Sequence, residues 1–306
     1  MILVIGGTGR LGRLVVDDLV TRDEVRVLAR RATASAARMP RSVQLVDGDV
    51  RDPATVAAAA QGVSCIVIAS HGVESRERDG LKAVDELGSR AVGAAARQAE
   101  CGIVLMSMVG AGPHAAMPLA RTKWAAENEI RESGAPWTIV RATAFAQTWA
   151  MILTESAGRS GRPGIIGAGE TVHRFIDARD VASVVARAAT DPSLRGRTLQ
   201  LCGPDELTVS QLAVLVQQAN SWTGPPRHLP VPLARTIAAS LAPFRADLAR
   251  KLSLAIAMND PDSADALDTE MPSWVATRAI SVETMGDAST ATGPEPARPT
   301  ARSRPR

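Results

Sequence analysis

Gly6-Gly7-Thr8-Gly9-Arg10-Leu11-Gly12 places four glycines at a spacing that suits the binding of an anion. The segment follows an apolar run, Ile2–Ile5, and opens a helix-like stretch, Leu11–Val20. A tight strand-to-helix turn needs residues free to take positive φ. A phosphate reaches the backbone only where no Cβ stands in its way. The helix start then offers unpaired N–H groups and the positive end of its dipole. Glycines alone are a weak signal, but here strand, turn and helix come in the required order inside a βαβ unit. The ligand that fits is the pyrophosphate of a dinucleotide. Its expected contacts are Gly6, Gly7, Thr8, Gly9, Arg10, Leu11 and Gly12.

The second apolar run closes as Val27-Leu28-Ala29-Arg30-Arg31. A carboxylate at this place holds the adenosine ribose of NAD, whereas an arginine suits the 2′-phosphate of NADP. Arg30 and Arg31, with Arg10 as a third cation, make NADP(H) the expected cofactor. Asp49 and Val50, after the third run, are placed beside the adenine. Ala69, Ser70 and His71, after the fourth, lie where a backbone passes the cofactor ribose. His71 reads equally well as a surface loop histidine.

The elements that must hold these residues follow from periodicity. Strands are expected at Ile2–Ile5, Val25–Ala29, Val43–Val46, Cys65–Ala69, Ile103–Met106 and Thr138–Val140. Helices are expected near Leu11–Val20, Ala54–Ala60, Gly80–Ala99 and Leu119–Glu132. Short strands that are apolar throughout, separated by helices, indicate a parallel sheet covered on both faces. The fold class is therefore α/β, a doubly wound Rossmann sheet. After Arg141 the pattern changes to a smaller, mostly helical part. Asp177 is expected to cap a helix to Thr190, and Thr208 or Ser210 one to about Ala219. Two amphipathic helices, Leu233–Leu241 and Ala246–Ala257, serve as a lid, a packing layer or the surface of a homodimer. The expected division is 1–157 for the dinucleotide-binding core and 158–285 for late core elements and lid helices. A disordered tail, 286–306, is expected from its Pro, Thr, Ser and Arg.

Composition narrows the partners. The formal charge is +3. Four arginines against Asp287 and Glu295 put two of those charges in the tail, so the body is near neutral. No broad basic face is implied, and nucleic acid is not an expected partner. No apolar stretch is long enough to span a membrane. Cys65, Cys101 and Cys202 form no CxxC pair and read as buried thiols of a reducing cytoplasm.

Taken together, the glycine turn, Asp49-Val50, Ser107 in Met106-Ser107-Met108-Val109-Gly110, and Thr122-Lys123 with Glu127 resemble the atypical short-chain dehydrogenases. The nearest group is the NmrA-like NAD(P)-binding proteins. Ser133–Arg141, Phe175-Ile176 with Asp180-Val181-Ala182, and Cys202-Gly203-Pro204 are similar to later landmarks of that group. The resemblance covers roughly Met1 to Ala219. It implies a Rossmann core and NADP(H) more often than NAD. The activities it implies are quinone and enone reduction, flavin reductase-like or epimerase-like chemistry, or redox sensing without turnover.

One departure decides the chemistry. The family's proton donor is a tyrosine four residues before the lysine, where it supplies the proton as hydride moves. Four residues before Lys123 stands Leu119, and the chain has no tyrosine at all. Ser107, matching the family's serine, and His114, in the loop after the fifth strand, remain as candidate catalytic groups beside Lys123. For Ser107 a backbone-bonded hydroxyl is an equal reading, and for His114 a plain loop histidine is the simpler one. Lys123 is expected on the nicotinamide ribose. The reading that follows is an NADPH-dependent reductase of a small, easily reduced molecule such as a quinone, since a quinone accepts hydride while solvent supplies the proton. A non-catalytic NADP(H) sensor is the rival, and an epimerase-like enzyme is disfavoured without the tyrosine.

Overall fold

The structure, a computed structural model, describes residues 1–73, 75, 77–259, 273–275 and 278–285. The tail expected over 286–306 lies outside the described residues. In chain order the strands are β1 (Ile2–Ile5), β2 (Val25–Ala29), β3 (Gln44–Asp47), β4 (Cys65–Ile68), β5 (Gly102–Met108) and β6 (Trp137–Ala142). They continue as β7 (Gly164–Ile166), β8 (Val172–His173), β9 (Arg197–Cys202), β10 (Leu207–Thr208), β11 (Arg227–Leu229) and β12 (Ser273–Val275). The helices are α1 (Arg10–Leu19), α2 (Pro53–Ala59), α3 (Gly88–Gln98), α4 (Pro118–Glu132), α5 (Ala146–Ala157), α6 (Ala178–Thr190), α7 (Val209–Ala219), α8 (Val231–Leu241) and α9 (Ala246–Ala257).

Eight strands form one parallel sheet in the order β12-β9-β6-β5-β4-β1-β2-β3. Strands such as Ile2–Ile5 and Cys65–Ile68 are buried along their whole length, as a sheet covered on both faces demands. α1 and α6 cover one face through Val15, Val16, Leu19, Val181 and Val185. α2, α3 and α4 cover the other through Val56, Val92, Ala96 and Ile130. A third cluster joins α5 to α7 around Trp149, Leu153, Phe175 and Leu212, with Met258 just beyond α9.

Sequence order reverses between β1 and β4, which are neighbours in the sheet. A doubly wound fold binds its ligand in the crevice beyond the strand ends at such a switch point. The Gly6 turn leaves β1 there, and the Ala69–Val73 segment leaves β4 beside it.

The caps read from sequence are present. Asp177 accepts the Arg179 N–H at 2.7 Å at the start of α6. Thr208, rather than Ser210, caps α7 in a reciprocal box with Gln211. One element departs from expectation. The helix expected over Gly80–Ala99 is wound as a π-helix from Lys82 to Leu87 before continuing as α3. This turns Leu87 outward, 43% exposed, and Asp85 inward, 3% exposed.

Candidate functional site

The glycine turn is tight enough to exclude side chains. Gly6 has φ +79°, and a Cβ on it would meet the Ser70 backbone N at 2.9 Å. A Cβ on Gly7 would lie 2.7 Å from a Val27 methyl, and one on Gly12 only 2.2 Å from the Gly6 carbonyl oxygen. The Gly6 N–H donates to Leu28 at 2.9 Å, tying the turn to β2. Gly9 caps α1 without a side-chain hydrogen bond. The first-turn N–H groups of a helix have no partner of their own, so this bare start is open to an anion. Thr8 is half-buried, Leu11 is buried against the core, and Arg10 is exposed. The Arg10 guanidinium reaches across the mouth of the turn to the Met151 sulfur of α5.

Arg30 and Arg31 are exposed just beyond β2. Their loop is anchored by Asp47, which accepts the Thr33 N–H at 2.9 Å and its hydroxyl at 2.5 Å. Those bonds hold the Asp47 carboxyl below its ordinary value. Asp49, expected at the adenine, is gripped by Arg51 through both oxygens at 3.0 and 2.7 Å. Arg51 also pairs with Glu77 at 2.6 Å. The Arg51 bond, aided by the nearby Arg30 charge, lowers the Asp49 carboxyl. Val50 is buried in the core, against Gly88 at the start of α3.

Beyond β4, the Ala69 N–H donates to Ile5 at 3.0 Å, which brings the two strand ends together. The Ser70 hydroxyl is buried without a protein partner. His71 is exposed, and its Nδ1 accepts the Val73 N–H. Lys123 is no surface helix charge: it is 6% exposed and points back under this segment. Its Nζ lies 2.7 Å from the Asp85 carboxylate and 3.4 Å from the Ser70 carbonyl oxygen. The second oxygen of Asp85 accepts the Gly72 N–H at 2.8 Å.

Ser107 sits at the end of β5 but faces inward. Its hydroxyl donates to Glu127 at 2.6 Å. Glu127 is fully buried and also accepts from Arg141 at 2.8 and 2.7 Å and from Arg131 at 2.9 Å. The Ser107 proton is thus committed to an ion cluster beneath the site. His114 is exposed in the loop before α4, and Leu119 is half-buried in the first turn of α4. Structure brings together the glycine turn, Ala69–Gly72 and Lys123, and leaves His114 exposed in its loop.

Two functional-looking features escaped sequence reading. One is Asp85. The other is Arg250 on α9, whose guanidinium donates to the carbonyl oxygens of Ser75 at 2.5 Å and Arg78 at 3.0 Å, and also to that of Glu77. It thereby straps the loop that follows Gly72 to the C-terminal helices. Neither pairing has a sequence signal beyond an acid and a base within Ala-rich helices. Among the described residues no cluster of three or more His, Cys, Asp or Glu could hold a metal. Among the same residues no helix is long and apolar enough to cross a membrane.

A doubly wound sheet with a bare helix start at its switch point defines a dinucleotide-binding protein. Comparison with known proteins gives the family: the NAD(P)H-binding model matches residues 6–192, and the chain belongs to that family. It is 30% identical over 224 residues to the NAD(P)H azoreductase of Xenophilus azovorans, covering 72% of this chain and 73% of that one. The same fold occurs in the Citrobacter triphenylmethane reductase complexed with NADP(H), at TM-score 0.69 and 21% identity over 94% of this chain and 99% of that one. It also occurs in an Escherichia coli NADPH-dependent quinone oxidoreductase complexed with NADPH, at TM-score 0.67 and 20% identity over 96% and 100%.

Proposed function

We propose that this chain is an NADPH-dependent reductase of a small conjugated acceptor such as a quinone. The cradle fits the cofactor, because Cβ atoms on Gly7 or Gly12 would strike Val27 or the turn's own backbone and force the turn out of shape, and the Ser70 hydroxyl is left without a partner. Gly6–Gly12 take the pyrophosphate on the start of α1. Arg30, Arg31 and Arg10 take the 2′-phosphate. Asp49 and Val50 flank the adenine, Ala69–His71 pass the ribose, and Lys123 holds the nicotinamide ribose. When bound, NADPH supplies the hydride.

The observation that carries the reaction class is Leu119. The residue one helical turn before Lys123 has no proton to give, and no tyrosine exists to replace it. Ketones need a strong acid as hydride arrives. A quinone does not: hydride reduces it to the hydroquinone anion, and water completes the hydroquinone. Ser107 donates to Glu127, and His114 is exposed, so neither stands in for the phenol without rearrangement. Relatives named for reducing azo compounds, quinones and triphenylmethane dyes support the reading, since these are conjugated acceptors. Three free, buried cysteines favour the reducing cytoplasm, and burial pushes the Cys65 thiol up to about 12.

The same absence of a proton donor favours one second reading, a sensor that binds NADP(H) without turnover. A sensor must bind the two redox forms with different affinity, because a ligand shifts a state only by its differential binding.

Cofactor choice is tested at β2. NADPH should bind the wild type more tightly than NADH. Arg30→Ala with Arg31→Ala should cost about 1–3 kcal/mol in NADPH binding, as for other charged hydrogen bonds, and little in NADH binding. Equal calorimetric affinities of the wild type for both cofactors would refute the 2′-phosphate assignment.

A further inference from the structure

Lysine and aspartate are almost never fully buried unless paired. Lys123 is 6% and Asp85 3% exposed, and their 2.7 Å separation makes them one neutral unit beneath the switch point. An ammonium has three N–H donors. The Asp85 charge holds the Nζ 2.7 Å away as an ion pair, and one N–H approaches the Ser70 carbonyl at 3.4 Å. With the stem of the side chain and the Ser70 bond fixed, the directions of the remaining N–H groups are fixed too, and they donate to no atom among the described residues. Asp85 acts on the neighbouring backbone as well. Its other oxygen holds the Gly72 N–H at 2.8 Å, next to the segment that carries the orphan Ser70 hydroxyl.

Asp85 arrives there through an unusual backbone. It lies in the π-wound stretch Lys82–Leu87, and π-turns within helices occur frequently at functional sites. The winding buries an acid and exposes Leu87, a reversal that packing alone does not reward. The neighbouring glycines make room for it: a Cβ on Gly72 would lie 2.1 Å from the Gly80 carbonyl oxygen.

We infer that Asp85 is a positioning residue for the nicotinamide-ribose contact. It fixes the direction of the Lys123 ammonium and the height of the Ser70–Gly72 backbone, so that one Lys123 N–H points at the ribose hydroxyls. This rests on the reading of Lys123 as that contact.

The test uses the full chain and calorimetric dissociation constants for two ligands. One is NADPH. The other is adenosine 2′,5′-bisphosphate, which keeps the phosphorylated adenosine and lacks the nicotinamide ribose. The proteins are wild type, Asp85→Asn, Lys123→Met and the double variant. Asp85→Asn should weaken NADPH about tenfold, the scale of one charged hydrogen bond, and leave the bisphosphate unchanged. In the Lys123→Met background it should add nothing, because both changes remove one interaction. A purely structural Asp85 would weaken both ligands, or multiply the Lys123→Met loss, and either result overturns the inference. If Lys123→Met binds NADPH weakly and Asp85→Asn binds it as the wild type does, Asp85 alone is misassigned. If Lys123→Met binds NADPH normally, the ribose reading of Lys123 falls and the inference with it. Should Asp85→Asn not fold, Asp85→Glu makes the same comparison. It keeps the charge but displaces the ammonium by a methylene, so NADPH should weaken and the bisphosphate should not. Unchanged NADPH binding by folded Asp85→Glu contradicts the inference.

Discussion

Gly12→Ala should abolish useful NADPH binding while leaving the protein folded. The new Cβ would stand 2.2 Å from the Gly6 carbonyl oxygen and 2.8 Å from the Gly7 Cα. Both neighbours are backbone, so no side chain can swing away. Overpacking of this kind costs roughly 1–3 kcal/mol, and the relief available is to push the turn away from the start of α1. That displacement spoils the N–H array meant for the pyrophosphate, so affinity should fall by up to about a hundredfold. Gly102→Ala is the control. It lies in β5, and beyond its chain neighbours its Cβ would come no nearer than 3.7 Å to any atom. Calorimetric titration with NADPH should show near-normal binding for Gly102→Ala and almost none for Gly12→Ala. Wild-type affinity in Gly12→Ala would mean that the cofactor does not use this turn.

Lys123→Met should produce the other large effect, and on stability as much as on binding. The substitution leaves the Asp85 side chain, with no exposed surface, deprived of its counter-charge. Breaking a buried pair from one side costs about 3–5 kcal/mol, whereas removing both charges together is often neutral. Urea unfolding of the cofactor-free protein should therefore show a large loss for Lys123→Met and a recovery of most of it in Lys123→Met with Asp85→Asn. Equal loss in the single and the double variant would show that the pair does not couple.

Much of the frame was legible because its signals are local. Ile2–Ile5 and Cys65–Ile68 are unbroken apolar runs, and Asp177 and Thr208 are capping residues set directly before helical periodicity. The glycine turn was readable for the same reason, since four residues within seven carry the geometric demand. Pairings across the fold were not. Asp85 meets Lys123 from within a π-wound stretch, and such winding leaves no periodic mark. As a string, Lys82–Leu87 reads as an ordinary solvated helix face. Arg250 meets Ser75 and Arg78 through the return of the C-terminal helices, which no local pattern encodes. Ser107 shows the converse. Its place at the end of a strand left a hydroxyl aimed at substrate and one bonded to the backbone equally open, but strand alternation turns it toward α4, where Glu127 accepts its hydrogen bond. The two- and three-residue strands β7, β8, β10, β11 and β12 are too short to carry a period at all.

The central claim is hydride transfer without a protein phenol, and steady-state NADPH oxidation tests it most directly. The purified chain is given NADPH with a quinone and, separately, with a simple ketone at matched concentration. Quinone should be consumed one for one with NADPH, and the ketone should give no rate above background. Rapid ketone reduction would contradict the account, because an unidentified proton donor would then exist and His114 would be the first residue to replace. NADPH that binds but is not oxidised by quinones, azo compounds or triphenylmethane dyes would contradict it too, and would leave the sensor.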